Sequence, residues 1–210
     1  MDFEQIISDR RAVNFFNPDK KIDPDLIKKM VELAAKTPSS FNLQPWNLIV
    51  LTDKQDKLRL QSCAMNQPKV SEAPVTMIVL ADNEGFKEGN KTVEQVFQEN
   101  IKSGSMTEKQ RDWFKKVRTN LYGKDELITR AFSCKNTGFF AMALMLAAKS
   151  LGIDSHPMDG FNHDKVVKEF NIPQNYYIPL LISFGYFDET KTLSKPKWRK
   201  TYNDILVNFN

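Results

Sequence analysis

The chain has 210 residues, of which 41% are hydrophobic and 27% charged, so it can bury the core of one ordinary domain, and its composition excludes a disordered, collagen-like or repeat protein. Its formal net charge of +4 comes from basic residues scattered among acidic ones, which argues against a nucleic-acid-binding surface. Cys63 and Cys134 lack C-x-x-C spacing and the chain has 2 histidines, so we expect neither a disulfide framework nor a metal site.

The N-terminal part predicts two helices and then two strands with a helix between them. Asp2 is suited to cap the first helix, and Asp23 followed by Pro24 to open the second, whose apolar residues share one face. Val75 to Ala81 is a continuous apolar run, which is typical of a strand buried on both faces. We therefore predict helices over about 2–8, 24–37 and 53–64, strands over 46–52 and 75–81, and a polar connector over 66–69.

The segment from about 83 to 124 is more polar than the rest and contains several glycines. It carries two helix candidates, the second opened by Ser105 and Glu108 at the spacing of a capping box. We expect this segment to leave the body of the protein as a variable helical excursion. The chain is predicted to be one domain over 1–210 that carries this excursion.

A long helix is predicted from Asp125 to Leu151, ended by Gly152. Its stretch Phe139 to Ala148 is apolar on all sides, so it must be covered either in the centre of the core or by a partner subunit. The apolar run is shorter than the roughly 20 residues that span a bilayer, and the start of the chain does not resemble a secretory signal. We therefore expect a cytoplasmic protein with no membrane contact.

Beyond the long helix, the sequence predicts a strand over 153–158, a helix over 164–170 and a strand over 179–186. The remaining tail has no compact pattern, yet it contains Ile205, Leu206, Val207 and Phe209. These apolar residues suggest that the tail docks, for example on a second subunit. The predicted fold class is α+β, with helices around a mostly antiparallel or mixed sheet.

Several common nucleotide and hydrolase motifs are absent from the sequence. It has no G-x-G-x-x-G, no G-x-x-x-x-G-K-[ST], no G-x-S-x-G and no H-E-x-x-H. A Rossmann dinucleotide site, a P-loop, an α/β-hydrolase elbow and a zincin site therefore have no sequence support. A nucleotide, if bound, must be held in another way.

The most informative segment is the loop from Thr37 to Trp46, which places small hydroxyls, two amides and two prolines between an amphipathic helix and an apolar strand. Such a loop is suited to a polar ligand. Two basic pairs, Arg10 with Arg11 and Lys197 with Arg199, have the chemistry to hold a phosphate dianion. Each pair alone is more typical of solvated surface.

Together, this loop and the two basic pairs resemble the signature of the nitroreductase family, whose members are homodimeric FMN-dependent NAD(P)H oxidoreductases. The resemblance implies a nitroreductase-like fold, bound FMN, NADH or NADPH as electron donor, and a homodimer with FMN at the subunit interface and an exchanged C-terminal tail. It places four basic residues at the phosphate and ribityl chain of FMN: Arg10, Arg11, Lys197 and Arg199. From across the dimer interface it brings Pro38, Ser39, Ser40 and Asn42, with Gln44 as support for the loop.

Two further segments resemble flavin-contacting elements of the family. The connector resembles its Asn-x-x-Lys element, which implies that the Asn66 amide lies at the pyrimidine edge of the flavin and Lys69 near N1 and O2. The segment Pro157, Met158, Asp159, Gly160 resembles a turn whose main-chain N–H groups face flavin N5 and O4. Without the other motifs, that segment is equally typical of an ordinary Asp-Gly turn.

The chain also departs from the family pattern. Many members carry Arg-x-Ser-x-Arg/Lys where this chain has Arg10, Arg11, Ala12, Val13 and Asn14. Ala12 and Asn14 still belong to the predicted cofactor-binding segment, but a hydroxyl and a second cation are missing. We expect Asn14 to lower the redox potential of the flavin relative to members with a basic residue there.

Other residue types were weighed as catalytic or substrate-binding groups. Four aromatic residues of the excursion are candidates for stacking on substrate or nicotinamide, although packing onto the body is the commoner role for each: Phe97, Trp113, Phe114 and Tyr122. Cys134 is expected to be a structural thiol in the long helix. His156 is expected to be a satisfied core or rim residue rather than a proton donor.

The resemblance implies ping-pong, two-electron reduction of nitroaromatics, quinones or related electrophilic acceptors, with the chemistry on flavin N5 and no obligate catalytic side chain. The sequence does not choose the acceptor or the donor. Alternatives from the same family are a reductive dehalogenase, a flavin-fragmenting enzyme or a semialdehyde reductase. Alternatives from other classes are a protein that stores or senses FMN, and a binder of nucleic acid or acidic partners.

Overall fold

The computed structural model describes residues 2–207 and has the α+β architecture that the sequence predicts, with helices around one antiparallel sheet. The helices are α1 (Phe3–Asp9), α2 (Pro24–Ala34), α3 (Lys54–Cys63), α4 (Pro68–Glu72), α5 (Lys91–Lys102), α6 (Arg111–Tyr122), α7 (Glu126–Ser150), α8 (His163–Glu169) and α9 (Tyr202–Ile205). The strands are β1 (Trp46–Leu51), β2 (Val75–Asp82), β3 (Asp154–Met158) and β4 (Tyr176–Gly185).

The sheet has the strand order β1-β2-β4-β3, and each neighbouring pair is antiparallel. Strand β2 is buried along its whole length because it lies in the middle of the sheet and is covered on both faces. Val75, Met77 and Val79 pack towards α7 and α2. Ile78 and Leu80 alternate with them and pack towards α3 and α8 on the opposite face.

Strand β4 begins three residues before the predicted position, at Tyr176. Val79 of β2 pairs with Leu180, but Ala81 pairs with Tyr177, so two residues of β4, Ile178 and Pro179, lie opposite one residue of β2. This bulge accommodates a proline, which has no N–H for the sheet ladder. The sequence prediction was wrong here because it took the proline as the start of the strand.

Helix α7 is the central core helix. It contacts all four strands as well as α1, α2 and α6, and Phe140, Leu144 and Ala148 are buried against the sheet. By length and composition alone, α7 also meets the criteria for a membrane span, as core helices of this kind commonly do. One of its faces is left uncovered within the chain, since Phe139 is 50% and Met142 38% exposed.

The excursion forms α5 and α6 and packs on the body through an aromatic cluster. The capping box before α6 is formed by Thr107 and Gln110 rather than by Ser105 and Glu108, because a short 3-10 turn precedes the helix. Arg118 of α6 is 1% exposed, donates from Nε to the Phe86 carbonyl at 3.1 Å and lies over the Phe114 ring at 4.0 Å. This buried cation fixes α6 to the loop that follows β2.

The C-terminal tail is not buried by the rest of its own chain. Every residue from 189 to 207 is exposed, including Trp198 at 74%, Ile205 at 64% and Val207 at 69%. Phe209, which the sequence analysis grouped with these apolar residues, lies outside the described range. The exposed tail leaves a large apolar surface to be covered by something other than this chain.

Candidate functional site

The segment that carries the N-terminal basic pair runs beside the edge strand β3. Ala12 forms a parallel bridge with Ser155, and the Val13 N–H donates to the Ser155 carbonyl at 3.1 Å. Val13 is 1% exposed, so this attachment is anchored in the core. It fixes the backbone between the arginines that end α1 and Asn14, and it turns the Val13 carbonyl towards His156.

His156 and Asn14 together hold Lys69 at this edge of the sheet. The Lys69 ammonium donates to Asn14 Oδ1 at 3.2 Å and lies 3.3 Å from His156 Nε2. His156 Nδ1 lies 2.9 Å from the Val13 carbonyl oxygen. Lys69 is in the first turn of α4, a short helix that the sequence analysis took for a polar connector. Its five residues are too few to show a helical period.

Burial acts on both members of this pair. It lowers the pKa of Lys69 because the ammonium is partly desolvated. It also lowers the pKa of His156, where the neighbouring Lys69 charge acts in the same direction and the bond to the Val13 carbonyl opposes both. Both shifts favour the uncharged forms, and the lowered pKa of His156 keeps its imidazole neutral at neutral pH.

A cationic cluster forms where the tail meets the end of α1. Burial lowers the pKa of Arg10, and the charges of Arg199 and then Arg11 lower it further. Arg11 donates to the Ser194 carbonyl, and Arg199 donates to the Trp198 carbonyl at 2.9 Å. Within residues 2–207, none of these three guanidiniums forms an ion pair with a carboxylate. Uncompensated guanidiniums in one place have the charge and fork geometry of an oxyanion site.

The segment from Pro157 to Gly160, which is the end of β3 and the turn after it, is attached to the segment that precedes α4. Gln67 Nε2 donates to the Gly160 carbonyl at 2.8 Å and to the Ala64 carbonyl at 3.1 Å. A Cβ added to Gly160 would lie 3.1 Å from that same nitrogen, so glycine allows the close approach. Met65 and Asn66 both have a φ of 53°, a left-handed conformation that is uncommon outside glycine. This strained turn presents Asn66 at the surface.

The loop from Ser39 to Gln44 is also strained, and a side chain of α7 hydrogen-bonds to its backbone. Phe41, Asn42 and Gln44 have φ values of 52°, 56° and 46°. The Ser39 Oγ accepts from the Gln44 N–H at 2.9 Å, and the Gln44 side chain donates back to the Asn42 carbonyl at 3.1 Å. Gln44 therefore supports the loop. Among the described residues, no hydrogen bond joins this loop to Lys69 or to the cationic cluster.

Asn136 of α7 contacts the candidate loop, and the sequence analysis did not identify it. It is fully buried, its Oδ1 accepts from the Ser40 N–H at 2.9 Å, and its Nδ2 donates to the Phe132 carbonyl at 2.7 Å. Nothing in the local sequence of a long helix marks such a contact, which depends on where the loop packs. Gln67 was missed for the same reason, although it lies inside the motif that includes Asn66 and Lys69.

We expect Asn136→Ala to lower the free energy of unfolding by about 2–3 kcal/mol, because the Ser40 N–H loses its acceptor and a small cavity forms in the core. Urea unfolding of the two proteins measures this change. Ser150→Ala is the matched control, since that hydroxyl lies at the exposed end of the same helix and bonds to the Ala147 carbonyl. Equal losses in both variants would contradict the anchoring role of Asn136.

The aromatic candidates of the excursion differ in exposure. Phe97 and Phe114 are 1% and 2% exposed and stack on each other at 5.6 Å, so both rings are occupied by core packing. Tyr122 is partly buried, with its ring 4.1 Å from that of Phe132. Trp113 is 51% exposed and offers a free ring face at the surface of this chain.

Two cavities bear on the location of the site. One of about 600 Å³ has two lysines and two carboxylates in its lining, which consists of Asn14, Phe15, Phe16, Pro18, Pro68, Lys69, Glu72, Asp188 and Lys191. A larger one, about 770 Å³, lies near the start of α2 and includes none of the candidate residues. The charged groups around Lys69 and Arg10, rather than cavity size, mark the candidate site, because they supply convergent polar chemistry.

Comparison with known proteins confirms the resemblance that the loop and basic pairs predict. The profile of the nitroreductase family matches residues 7–186. YodC of Bacillus subtilis, named as an NAD(P)H nitroreductase, is 28% identical over 186 residues, which cover 86% of this chain and 87% of YodC.

Solved structures agree with this result. The nitroreductase-like YdfN of Bacillus subtilis has a TM-score of 0.89 at 24% identity, covering 99% of this chain and 98% of its own. A nitroreductase-like protein from Exiguobacterium sibiricum, solved in complex with FMN, has a TM-score of 0.84 at 25% identity, covering 98% and 96% of the two chains. The fold thus extends over nearly the whole length of each protein.

Proposed function

Because the chain belongs to the nitroreductase family, we propose that it reduces nitroaromatic, quinone or related electrophilic acceptors by two electrons in a ping-pong cycle. It is an NAD(P)H-dependent flavin oxidoreductase with FMN as cofactor and NADH or NADPH as donor. The observation that carries the proposal is that one short segment holds both Arg10 and Arg11, which form a cationic cluster with Arg199, and Asn14, which accepts from Lys69. These charges match a ligand with a phosphate at one end and an electron-accepting ring at the other.

The residues on this chain fit FMN in their donor chemistry. The cationic cluster lacks carboxylate partners within residues 2–207, so a phosphate would supply the charge that the protein does not. Lys197 lies two residues before Arg199 in the same exposed tail, and it is proposed to join the cluster. Lys69 is an ammonium in a partly desolvated place, where its field acts strongly on a neighbouring ring.

The remaining proposed contacts come from backbone and small side chains. Asn66 is presented by its strained turn, and Ala12 and Asn14 flank the anchored Val13. The end of β3 and the turn after it supply Pro157, Met158, Asp159 and Gly160, and Gln67 holds this segment through the Gly160 carbonyl. When bound, FMN supplies the electron-transfer chemistry, and the chain's residues bind it, orient it and exclude water.

A homodimer would complete this site. The uncovered face of α7, with Phe139 and Met142, and the exposed apolar tail are surfaces that a second copy can bury. Within residues 2–207, no hydrogen bond joins the loop carrying Pro38, Ser39, Ser40 and Asn42 to the cationic cluster, and we propose that this loop reaches the FMN held by the partner. The tail is proposed to exchange between subunits.

The acceptor is proposed to bind under the excursion. Trp113 is the candidate whose ring is free in this chain, and Tyr122 presents part of its surface. Phe97 and Phe114 are not retained as acceptor contacts because both are buried in the packing of the excursion. The enzyme is proposed to act in the cytoplasm, as one domain, without membrane or nucleic-acid partners.

Initial-rate kinetics test the proposed reaction. With NADH or NADPH varied at several fixed concentrations of menadione or nitrofurazone, a ping-pong cycle gives parallel lines in double-reciprocal plots. Intersecting lines would contradict the cycle, and bound FMN without turnover of either acceptor would instead favour a protein that stores or senses flavin. Comparing NADH with NADPH in the same assay settles the donor preference.

Asn14→Lys is expected to raise the midpoint potential of bound FMN. The substitution adds a cation next to Lys69, which favours the reduced, more negative form of the flavin. Anaerobic redox titration of the two proteins measures the effect, with Asn17→Lys as a control that adds the same charge three positions further along the chain. An Asn14→Lys midpoint equal to that of the unchanged protein would contradict the proposed location of Asn14 beside the flavin ring.

A further inference from the structure

The hydrogen bonds around His156 determine which of its ring nitrogens carries the proton. The Val13 carbonyl can only accept, so Nδ1, which lies 2.9 Å from it, must be the protonated nitrogen. In the neutral ring, Nε2 is then left as an acceptor. The Lys69 ammonium can only donate, and its Nζ lies 3.3 Å from Nε2. The two contacts therefore require the same tautomer.

Lys69 has three N–H donors, and the structure assigns two of them. One points to Asn14 Oδ1 at 3.2 Å and another to His156 Nε2. Two fixed acceptors restrict an otherwise flexible side chain to one direction. The third N–H is then directed away from both acceptors and is available to a ligand.

Neither acceptor neutralises the lysine. A carboxylate in either position would also orient the ammonium, but it would cancel much of the charge that the site needs. A neutral imidazole, whose tautomer is fixed by its bond to the Val13 carbonyl, and the Asn14 amide oxygen both direct the ammonium without cancelling its charge.

We propose that His156 is a positioning residue for Lys69: as the Nδ1-protonated imidazole, it accepts from the ammonium and, with Asn14, directs the remaining N–H to the ring of the cofactor. This inference rests on the proposed function, since it takes the ligand at Lys69 to be FMN. In this proposal His156 acts only through Lys69 and does not contact the reacting atoms. The alternative is that His156 only fills space beside β4.

Nuclear magnetic resonance of the 210-residue protein tests the hydrogen bonds directly and does not depend on flavin turnover. The chain has 2 histidines, so His163→Gln leaves the His156 signals alone in the imidazole region. We expect the Nδ1–H tautomer for His156, and a higher His156 pKa in Lys69→Met, because the nearby positive charge that disfavours protonation is gone. An Nε2–H tautomer, or a His156 pKa unchanged by Lys69→Met, would overturn the proposal.

A second measurement separates positioning from packing. Glutamine can place its amide oxygen near the position of imidazole Nε2, whereas asparagine reaches only the position of Nδ1. We expect His156→Asn to weaken the binding of reduced FMN relative to oxidised FMN by about tenfold, which is about 30 mV in the two-electron midpoint potential. His156→Gln is expected to restore the original midpoint, and His163→Gln, which alters a histidine outside the site, to leave it unchanged.

These outcomes are separable from the proposed function. If both His156 variants keep the original midpoint, or both shift equally, His156 is only a packing residue even though FMN binds. If the protein takes up no FMN, the proposed function fails, while the tautomer and the effect of Lys69→Met still decide whether His156 orients Lys69.

Discussion

Arg199→Ala is expected to weaken FMN binding by about tenfold to a hundredfold, the loss expected for a charge-assisted hydrogen bond to a phosphate. Arg199 is the strongest charged neighbour of Arg10, so its loss also removes repulsion within the cluster. The ligand-free protein should therefore keep its stability while its affinity for the cofactor falls. Fluorescence titration with FMN, together with thermal unfolding of the ligand-free protein, measures both effects.

Two controls make this result specific to the phosphate. Lys200→Ala removes a neighbouring positive charge from the same exposed tail, and we expect it to change FMN affinity by less than about twofold. Riboflavin lacks the phosphate, so its affinity should be the same for Arg199→Ala and the unchanged protein. A parallel loss of riboflavin and FMN affinity would show that Arg199 supports the tail rather than a phosphate site.

The double substitution Phe139→Glu with Met142→Glu is expected to convert the proposed dimer to a monomer and to abolish detectable FMN binding. These two side chains are 50% and 38% exposed on a helix whose opposite face is core. Two carboxylates buried against a second copy would cost several kcal/mol. Cofactor binding would be lost with the dimer, because the loop from Pro38 to Asn42 is proposed to act from the partner.

Sedimentation velocity and an FMN titration of the same sample measure these two effects. Leu58→Glu is the matched control: this leucine of α3 is 41% exposed and lies away from the uncovered face of α7, so the variant should remain a dimer that binds FMN. A monomer that still binds FMN with full affinity would contradict the shared site. A double variant that remains dimeric would contradict the proposed interface.

Elements with a strong local pattern could be predicted from the sequence. Strand β2 is a continuous apolar run because every residue along it is buried. Helix α2, which Asp23 and Pro24 open, has its apolar residues on one side because only that side faces the core. Helix α4 was missed because five residues cannot show a helical period. The capping box was placed two residues too early because Ser105 and Thr107 are each followed three residues later by a suitable partner, and tertiary packing decides between them.

The sequence predicts that the apolar stretch of α7 is covered on all sides. The structure shows this for the face that packs on the core, but not for the face with Phe139 and Met142. A sequence shows that Phe139 and Met142 are apolar, but not whether their neighbours lie in the same chain. The structure leaves that face open, which is why the prediction of a partner subunit remains a proposal.

The site was predictable mainly where the sequence resembles the family. The association of Arg10 with Arg199 joins the two ends of the chain, and no local pattern indicates it. Asn136 and His156 act through contacts that exist only after folding: one anchors a strained loop from a helix, and the other bonds to a backbone carbonyl on a neighbouring segment. His156 was expected to be a satisfied rim residue, and its bonding partners show how it is satisfied.

The most direct test is an absorption spectrum of the purified protein, after incubation with FMN and removal of excess, followed by anaerobic addition of NADH and then NADPH. We expect bands near those of free flavin that bleach with one of the two donors and return when menadione is added. A protein that retains no flavin under these conditions, or a bound flavin that neither donor bleaches, would contradict the assignment as an NAD(P)H-dependent flavin oxidoreductase.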